Sequence, residues 1–128
     1  MKESTNNSFN EQLRERTMNM AADTRNLLSS VRVSAIDRPI VNQLIRSSSS
    51  VAANYRSATC ARSNAEFLSK ISIVLEESDE SKFWLEYLLK IKVLNVADAA
   101  ELLKEADELV RIFSSIRKKM KEKMEKGV

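Results

Sequence analysis

The chain has 128 residues, of which 43% are apolar, and a net charge of +3, so it can form one domain with its own core. Gly127 and Pro39 are its only glycine and proline, whereas sheets joined by tight bends need several such turn residues. The chain has no histidine, the commonest general base and metal ligand. Its single cysteine, Cys60, excludes an internal disulfide and a cysteine zinc site. We therefore expect an all-α protein that is not an enzyme and needs no cofactor.

The first helix is predicted over residues 10–32, where apolar or small side chains recur at steps of three and four. Residues 1–9 are polar and lack this periodicity, so we expect a flexible tail there. The tail contains no apolar run, which argues against a signal peptide. No stretch of the chain reaches the roughly 18 apolar residues of a membrane span. Together with the lone thiol, these features predict a cytoplasmic protein that does not enter a membrane.

The second helix is predicted over residues 37–59, with Asp37 as its cap and Pro39 just inside its start. It contains four consecutive serines, Ser47–Ser50. The spacing of three and four residues between apolar positions continues unchanged through the serines. A flexible linker would not keep this spacing and normally contains glycine. We interpret the serines as helix interior whose small side chains let a neighbouring helix approach closely. The alternative, a serine nucleophile, would need an adjacent base and an oxyanion site.

The last two helices are predicted over residues 64–93 and 96–125. Ser63 and Glu66 have the spacing of a capping box at the start of the third helix, and Asn95 marks the turn before the fourth. In the fourth helix, Ala99, Ala106 and Phe113 repeat every seven residues, a pattern typical of helices packed at shallow angles. Connections of a few residues make sequential helices antiparallel neighbours. The sequence predicts a single up-down-up-down antiparallel four-helix bundle over residues 10–126.

Charge is unevenly distributed along the chain. Residues 31–63 carry five arginines against Asp37 alone, and residues 111–128 carry seven basic against two acidic groups. Clustered lysine and arginine contact nucleic-acid phosphates without sequence choice. Two alternatives stay open: a basic helix end interacts favourably with the helix dipole, and arginines can bridge carboxylates within the fold.

Residues 64–110 are acidic, with eleven carboxylates against five lysines. The run Glu76, Glu77, Asp79 and Glu80 is the strongest metal candidate. Di-metal sites in bundles use a Glu-x-x-His motif on two helices, which this chain cannot supply. The alternative is a solvated face or salt bridges to an arginine of the second helix.

Aromatic side chains follow in the same helix. Phe83 and Trp84 are adjacent and therefore cannot share one helix face, so with Leu85 and Leu88 they make the helix apolar on more than one side. Large exposed apolar patches usually mark an interface. We therefore expect a homo-oligomer.

The run Ser50–Arg56 (SVAANYR), followed by Ala61-Arg62-Ser63, Glu66-Phe67 and Phe83-Trp84-Leu85-Glu86, resembles the bacterial four-helix-bundle family associated with intervening sequences in 23S ribosomal RNA genes. The resemblance implies small cytosolic bundles without known catalysis that form closed pentamers. It also implies a fold similar to the accessory variability protein of diversity-generating retroelements, a basic pentamer that binds reverse transcriptase and nucleic acid. Ser57 stands where many members of this subtype have glutamate.

By this resemblance, the candidate nucleic-acid-binding residues are Arg56, Arg62, Arg117, Lys118, Lys119, Lys121 and Lys123. The expected partners are further copies of the chain, RNA or DNA, and a nucleoprotein. The alternative function is a structural or protein-interaction module with no nucleic-acid role.

Overall fold

The computed structural model describes the backbone of residues 2–127 and the side chains of residues 7–127. It consists of four helices: α1 (Lys2–Ser29), α2 (Arg38–Thr59), α3 (Asn64–Lys90) and α4 (Val96–Lys126). No strand occurs within residues 2–127. Each of α1 and α3 packs against both α2 and α4, so the helices enclose one common core. The predicted all-α four-helix bundle is confirmed.

The start of α1 corrects the predicted boundary. Residues 2–9, which we expected to form a flexible tail, continue the helix, while Met1 lies outside the described residues. The segment contains neither glycine nor proline, and adding a residue to an existing helix costs little compared with nucleating one. Within the described side chains, Asn10 links α1 to α2, because its Oδ1 accepts a hydrogen bond from the Tyr55 hydroxyl at 3.1 Å.

The end of α1 also differs from the prediction, because the helix stops at Ser29 rather than Arg32. Val31 and Val33 in the following non-helical segment pack against the core. Asp37 stands at the N-cap position of α2, but its side chain makes no capping bond. Its backbone is already helical (φ −91°, ψ −13°), whereas a capping side chain needs an extended residue. The Asp37 carboxylate instead accepts a hydrogen bond from the Ser34 hydroxyl at 3.1 Å.

The start of α3 follows the predicted capping motif. The backbone of Ser63 is extended, and its hydroxyl accepts from the Glu66 amide at 3.1 Å. The Glu66 carboxylate reaches back to the amide of Arg62 at 3.3 Å, one residue earlier than in the usual box. Asn95 caps α4 in the same way, since its Oδ1 accepts from the Asp98 amide at 2.8 Å.

The four consecutive serines lie inside α2, as predicted. Ser47 and Ser48 are buried, and the hydroxyls of Ser47 and Ser81 lie 2.9 Å apart across the contact between α2 and α3. Small residues at this contact let the two helices approach closely, and their hydroxyls are satisfied by each other and by helix carbonyls. Larger side chains fill the rest of the core, in which Tyr55 of α2 and Phe113 of α4 lie with ring centroids 5.4 Å apart.

Candidate nucleic-acid interface

The antiparallel topology brings six of the seven predicted basic residues to one surface at one end of the bundle, and Arg56 is the exception. α2 ends there at Thr59, α3 begins there at Asn64, and α4 ends there at Lys126. Arg62 and Met120 line one cleft at this end, and Asn64 and Lys123 line a second. Residues from two distant parts of the sequence therefore share one surface, which we call the basic end: Arg62 and the segment 117–126.

Two of the predicted arginines are engaged within the fold. Arg117 donates from Nε to the Ser72 hydroxyl at 2.9 Å, which ties α4 to α3. The Arg62 guanidinium lies 3.1 Å from the Glu66 carboxylate, and its hydrogen bonds hold the pKa of that carboxyl below the ordinary value. A guanidinium has five N–H donors, so each arginine keeps donors for a further partner. Arg117 thus joins two helices through a hydroxyl rather than a carboxylate, whereas the Arg62 pair is local and its side chain stays 88% exposed.

The lysines of α4 are the more available groups. Lys118, Lys119, Lys121 and Lys123 are all exposed, and among residues 7–127 none of the four forms an ion pair. The intervening Met120 and Met124 are half-buried, so the apolar side of this last stretch faces the bundle. No described carboxylate holds these ammonium groups, so within residues 7–127 they are available to phosphates. Phosphate contacts dominate the affinity of a protein for nucleic acid.

Arg56 lies apart from these lysines. It lines a groove of about 540 Å³ between α1 and α2 together with Arg14 and Met18. Sequence reasoning missed Arg14, because nothing local in α1 indicates which of its exposed residues lies beside Arg56. The two positions are far apart in the chain, and only the packing register of α1 on α2 brings them to one groove.

Two carboxylates of the acidic run of α3, Glu77 and Glu80, form ion pairs. Arg46 of α2 binds Glu77 at 3.1 Å and also pairs with Glu80, as the salt-bridge alternative predicted. Within residues 7–127, no group of three or more potential metal ligands is found. Glu80 also accepts a hydrogen bond from the Trp84 indole at 3.1 Å.

The aromatic residues of α3 form one exposed cluster. The ring centroid of Phe83 lies 4.9 Å from the ring centroid of Trp84 and 6.2 Å from that of Tyr87. Phe83 is 52% exposed and Tyr87 37% exposed, while Trp84 is half-buried. Neither α2 nor α4 covers this side of the helix. The apolar patch that the sequence predicted is therefore present in the single chain.

The fold and its surface define a small antiparallel four-helix bundle with a basic end and an aromatic patch. The family model described as 23S rRNA-intervening sequence protein matches residues 10–115, and the chain belongs to this family. The expected family resemblance is confirmed. Among curated proteins, none matches the chain. None of the described helices is long and apolar enough to cross a membrane.

A solved structure supports the same relationship. It is a protein of unknown function from the S23 ribosomal protein family of Bacteroides thetaiotaomicron VPI-5482, and it is 26% identical to this chain with a TM-score of 0.74. The match covers 83% of this chain and 98% of that protein. The similarity therefore extends over the bundle as a whole.

Proposed function

We propose that this protein is a non-enzymatic, self-assembling bundle whose basic end binds the phosphate backbone of RNA or DNA in the cytoplasm. The observation that carries the proposal is the set of four exposed lysines of α4 at the same end as Arg62, none of which is ion-paired within residues 7–127. Phosphate contacts of this kind give affinity without base recognition, so we expect binding that depends on salt more than on sequence. Assembly of several copies would strengthen weak single sites through avidity.

Binding rather than catalysis is supported by the chemistry of the side chains. The chain has no histidine. In the serine tract of α2, the hydroxyls of Ser47, Ser48 and Ser49 donate to carbonyl oxygens of their own helix, whereas a serine nucleophile needs its hydroxyl bonded to an activating base.

The test is fluorescence anisotropy with labelled structured RNA and with duplex DNA over a series of salt concentrations. Replacing Lys119 and Lys123 by glutamine should weaken binding to all sequences and lower the slope of log affinity against log salt by about 1 for each lysine that contacts a phosphate. The matched control replaces the exposed Lys90 and Lys104, which lie outside the basic end, and should leave the slope unchanged. Equal effects of both pairs, or no salt-dependent binding by the unaltered protein, would contradict the proposal.

The exposed aromatic cluster favours a second candidate, a protein-interaction module in which the lysines only keep the protein soluble. A protein partner captured specifically from a lysate and retained after nuclease treatment would support this alternative. Loss of that partner on nuclease treatment would favour nucleic-acid binding.

A further inference from the structure

The outward face of α3 combines aromatic rings with negative charge. Glu76, Asp79, Phe83 and Tyr87 recur at steps of three and four, so they lie on one side of the helix. Both carboxylates are exposed. Interactions with Arg46 of α2 and between Lys82 and Asp107 of α4 occupy the flanks of the helix, which leaves this side open. We call these residues, with Trp84, the acidic aromatic strip.

The acidic aromatic strip has the composition of the centre of a protein interface. Aromatic residues are enriched there, and they carry much of the binding energy when they are buried. Phosphates would be repelled by the neighbouring carboxylates. The strip therefore suits a partner surface that is apolar at its centre and positively charged at its rim.

The groove between α1 and α2 is such a surface. Its floor is made of small side chains, Ala21, Ala52 and Ala53, and Met18 stands beside it with 57% of its surface exposed. The Ser49 hydroxyl donates to the Ile45 carbonyl at 2.8 Å, so its proton is already used within the helix. The charged lining residues are both arginines, Arg14 and Arg56.

We infer that the acidic aromatic strip of one copy docks into the α1–α2 groove of a second copy. Aromatic rings fill the apolar floor, and the carboxylates of the strip face Arg14 and Arg56. The two surfaces lie on different sides of the bundle, so one chain cannot join its own strip to its own groove. Because the two surfaces also differ from each other, the contact is heterologous, and each added copy presents a new free surface until the assembly closes.

The inference rests on the self-assembly part of the proposed function and adds which surfaces meet. Two variants of the full chain block one surface each. Ala53→Glu places bulk and negative charge on the exposed floor of the groove, and Phe83→Asp removes an aromatic ring from the strip and adds charge. Both positions are exposed helical sites, and circular dichroism checks that the variants stay folded.

Light scattering after size-exclusion chromatography measures the mass. The unaltered protein should exceed its monomer mass of 14.5 kDa severalfold, and each variant alone should fall to the monomer. An equimolar mixture should give a species of about twice the monomer mass, because the groove of the Phe83→Asp copy and the strip of the Ala53→Glu copy are both intact. That dimer cannot grow, since its remaining groove and strip are both blocked and both acidic.

Ile36→Asp is the control, because Ile36 is 83% exposed and belongs to neither surface. It should keep the full mass. A monomeric unaltered protein would overturn both the inference and self-assembly. Retention of the full mass by either blocking variant, or failure of the mixture to pair, would overturn the surface assignment while self-assembly stands. None of these outcomes depends on nucleic-acid binding, which the lysine variants test separately.

Discussion

Tyr55 is the largest fully buried side chain of the described core, and its hydroxyl ties α2 to Asn10 of α1. Burial raises the pKa of its phenol to about 12 from an ordinary value of 10. The folded state therefore holds the proton more tightly than the unfolded chain does. The resulting contribution to stability is fully present below pH 10 and is lost as the pH rises toward 12.

Tyr55→Phe should remove this alkaline sensitivity. At neutral pH we expect the variant to lose about 1 kcal/mol of unfolding free energy, because the side-chain oxygen of Asn10 loses the hydroxyl that donates to it. Between pH 10 and 12, its stability should fall less steeply than that of the unaltered protein. Urea unfolding followed by circular dichroism at a series of pH values measures both effects. Parallel pH profiles for the two proteins would contradict the assignment to Tyr55.

Lys92 is the one residue among 2–127 with a left-handed backbone, at φ 63°. It follows α3 in a Schellman motif, in which the amides of Lys92 and Val93 donate to the carbonyls of Leu89 and Leu88 at 3.1 and 2.9 Å. Glycine is the usual residue at this position because it has no Cβ penalty there.

Lys92→Gly should therefore raise the free energy of unfolding by about 0.5–1 kcal/mol. The left-handed conformation costs about 1–2 kcal/mol for a residue with a Cβ, and glycine's greater freedom in the unfolded chain offsets part of the gain. The urea midpoint is the measurement. Glu86→Gly, at an exposed position in the interior of α3, serves as the opposite control and should lose about 0.5–1 kcal/mol. A lower midpoint for Lys92→Gly would show that the turn depends on the lysine side chain.

At the scale of helices, the contact between α2 and α3 depends on small buried residues. Ser47 and Ser81 are fully buried and face each other. Close packing in a core leaves no room for extra methylene groups, and adding them forces strained rotamers or a shift of the backbone.

Ser47→Leu should cost about 1–3 kcal/mol of unfolding free energy, because the larger side chain pushes α2 away from α3. Ser114→Leu is the matched control, since Ser114 is an exposed helical serine, and it should change stability by less than about 0.5 kcal/mol. Thermal or urea unfolding of both variants checks the difference. Similar unfolding midpoints for Ser47→Leu and Ser114→Leu would show that the contact between α2 and α3 accommodates a larger side chain.

Helix positions were predicted well wherever side-chain periodicity and caps are local signals. The capping pair Ser63–Glu66 correctly predicted the start of α3. The regular apolar spacing through Ser47–Ser50 correctly predicted that the serines lie inside α2. The predicted boundaries of α1 were wrong at both ends, because tertiary packing sets where this helix ends and helix propagation sets where it begins. α1 ends early because Val31 and Val33 turn onto the core, and it starts early without any apolar pattern that could have indicated it.

At the scale of the whole molecule, assembly should couple to stability. If only folded copies associate, the melting temperature rises with protein concentration by mass action. We expect this rise for the unaltered protein and for Ile36→Asp, and a constant melting temperature for Phe83→Asp. Scanning calorimetry over a hundredfold range of concentration measures it. A melting temperature independent of concentration in the unaltered protein would contradict self-assembly.

The amino-acid sequence by itself determined the helical class, the four-helix count, the capping at Ser63 and the family, because each of these depends on neighbouring residues or on short motifs. Tertiary structure alone decided which charged groups are engaged. It pairs Arg46 with Glu77 and Glu80, ties Arg117 to Ser72, and places Arg14 beside Arg56. These contacts join different helices, and their partners depend on the rotation and axial register of one helix on another. That register is set by the packing of the whole core, which no local stretch of sequence contains.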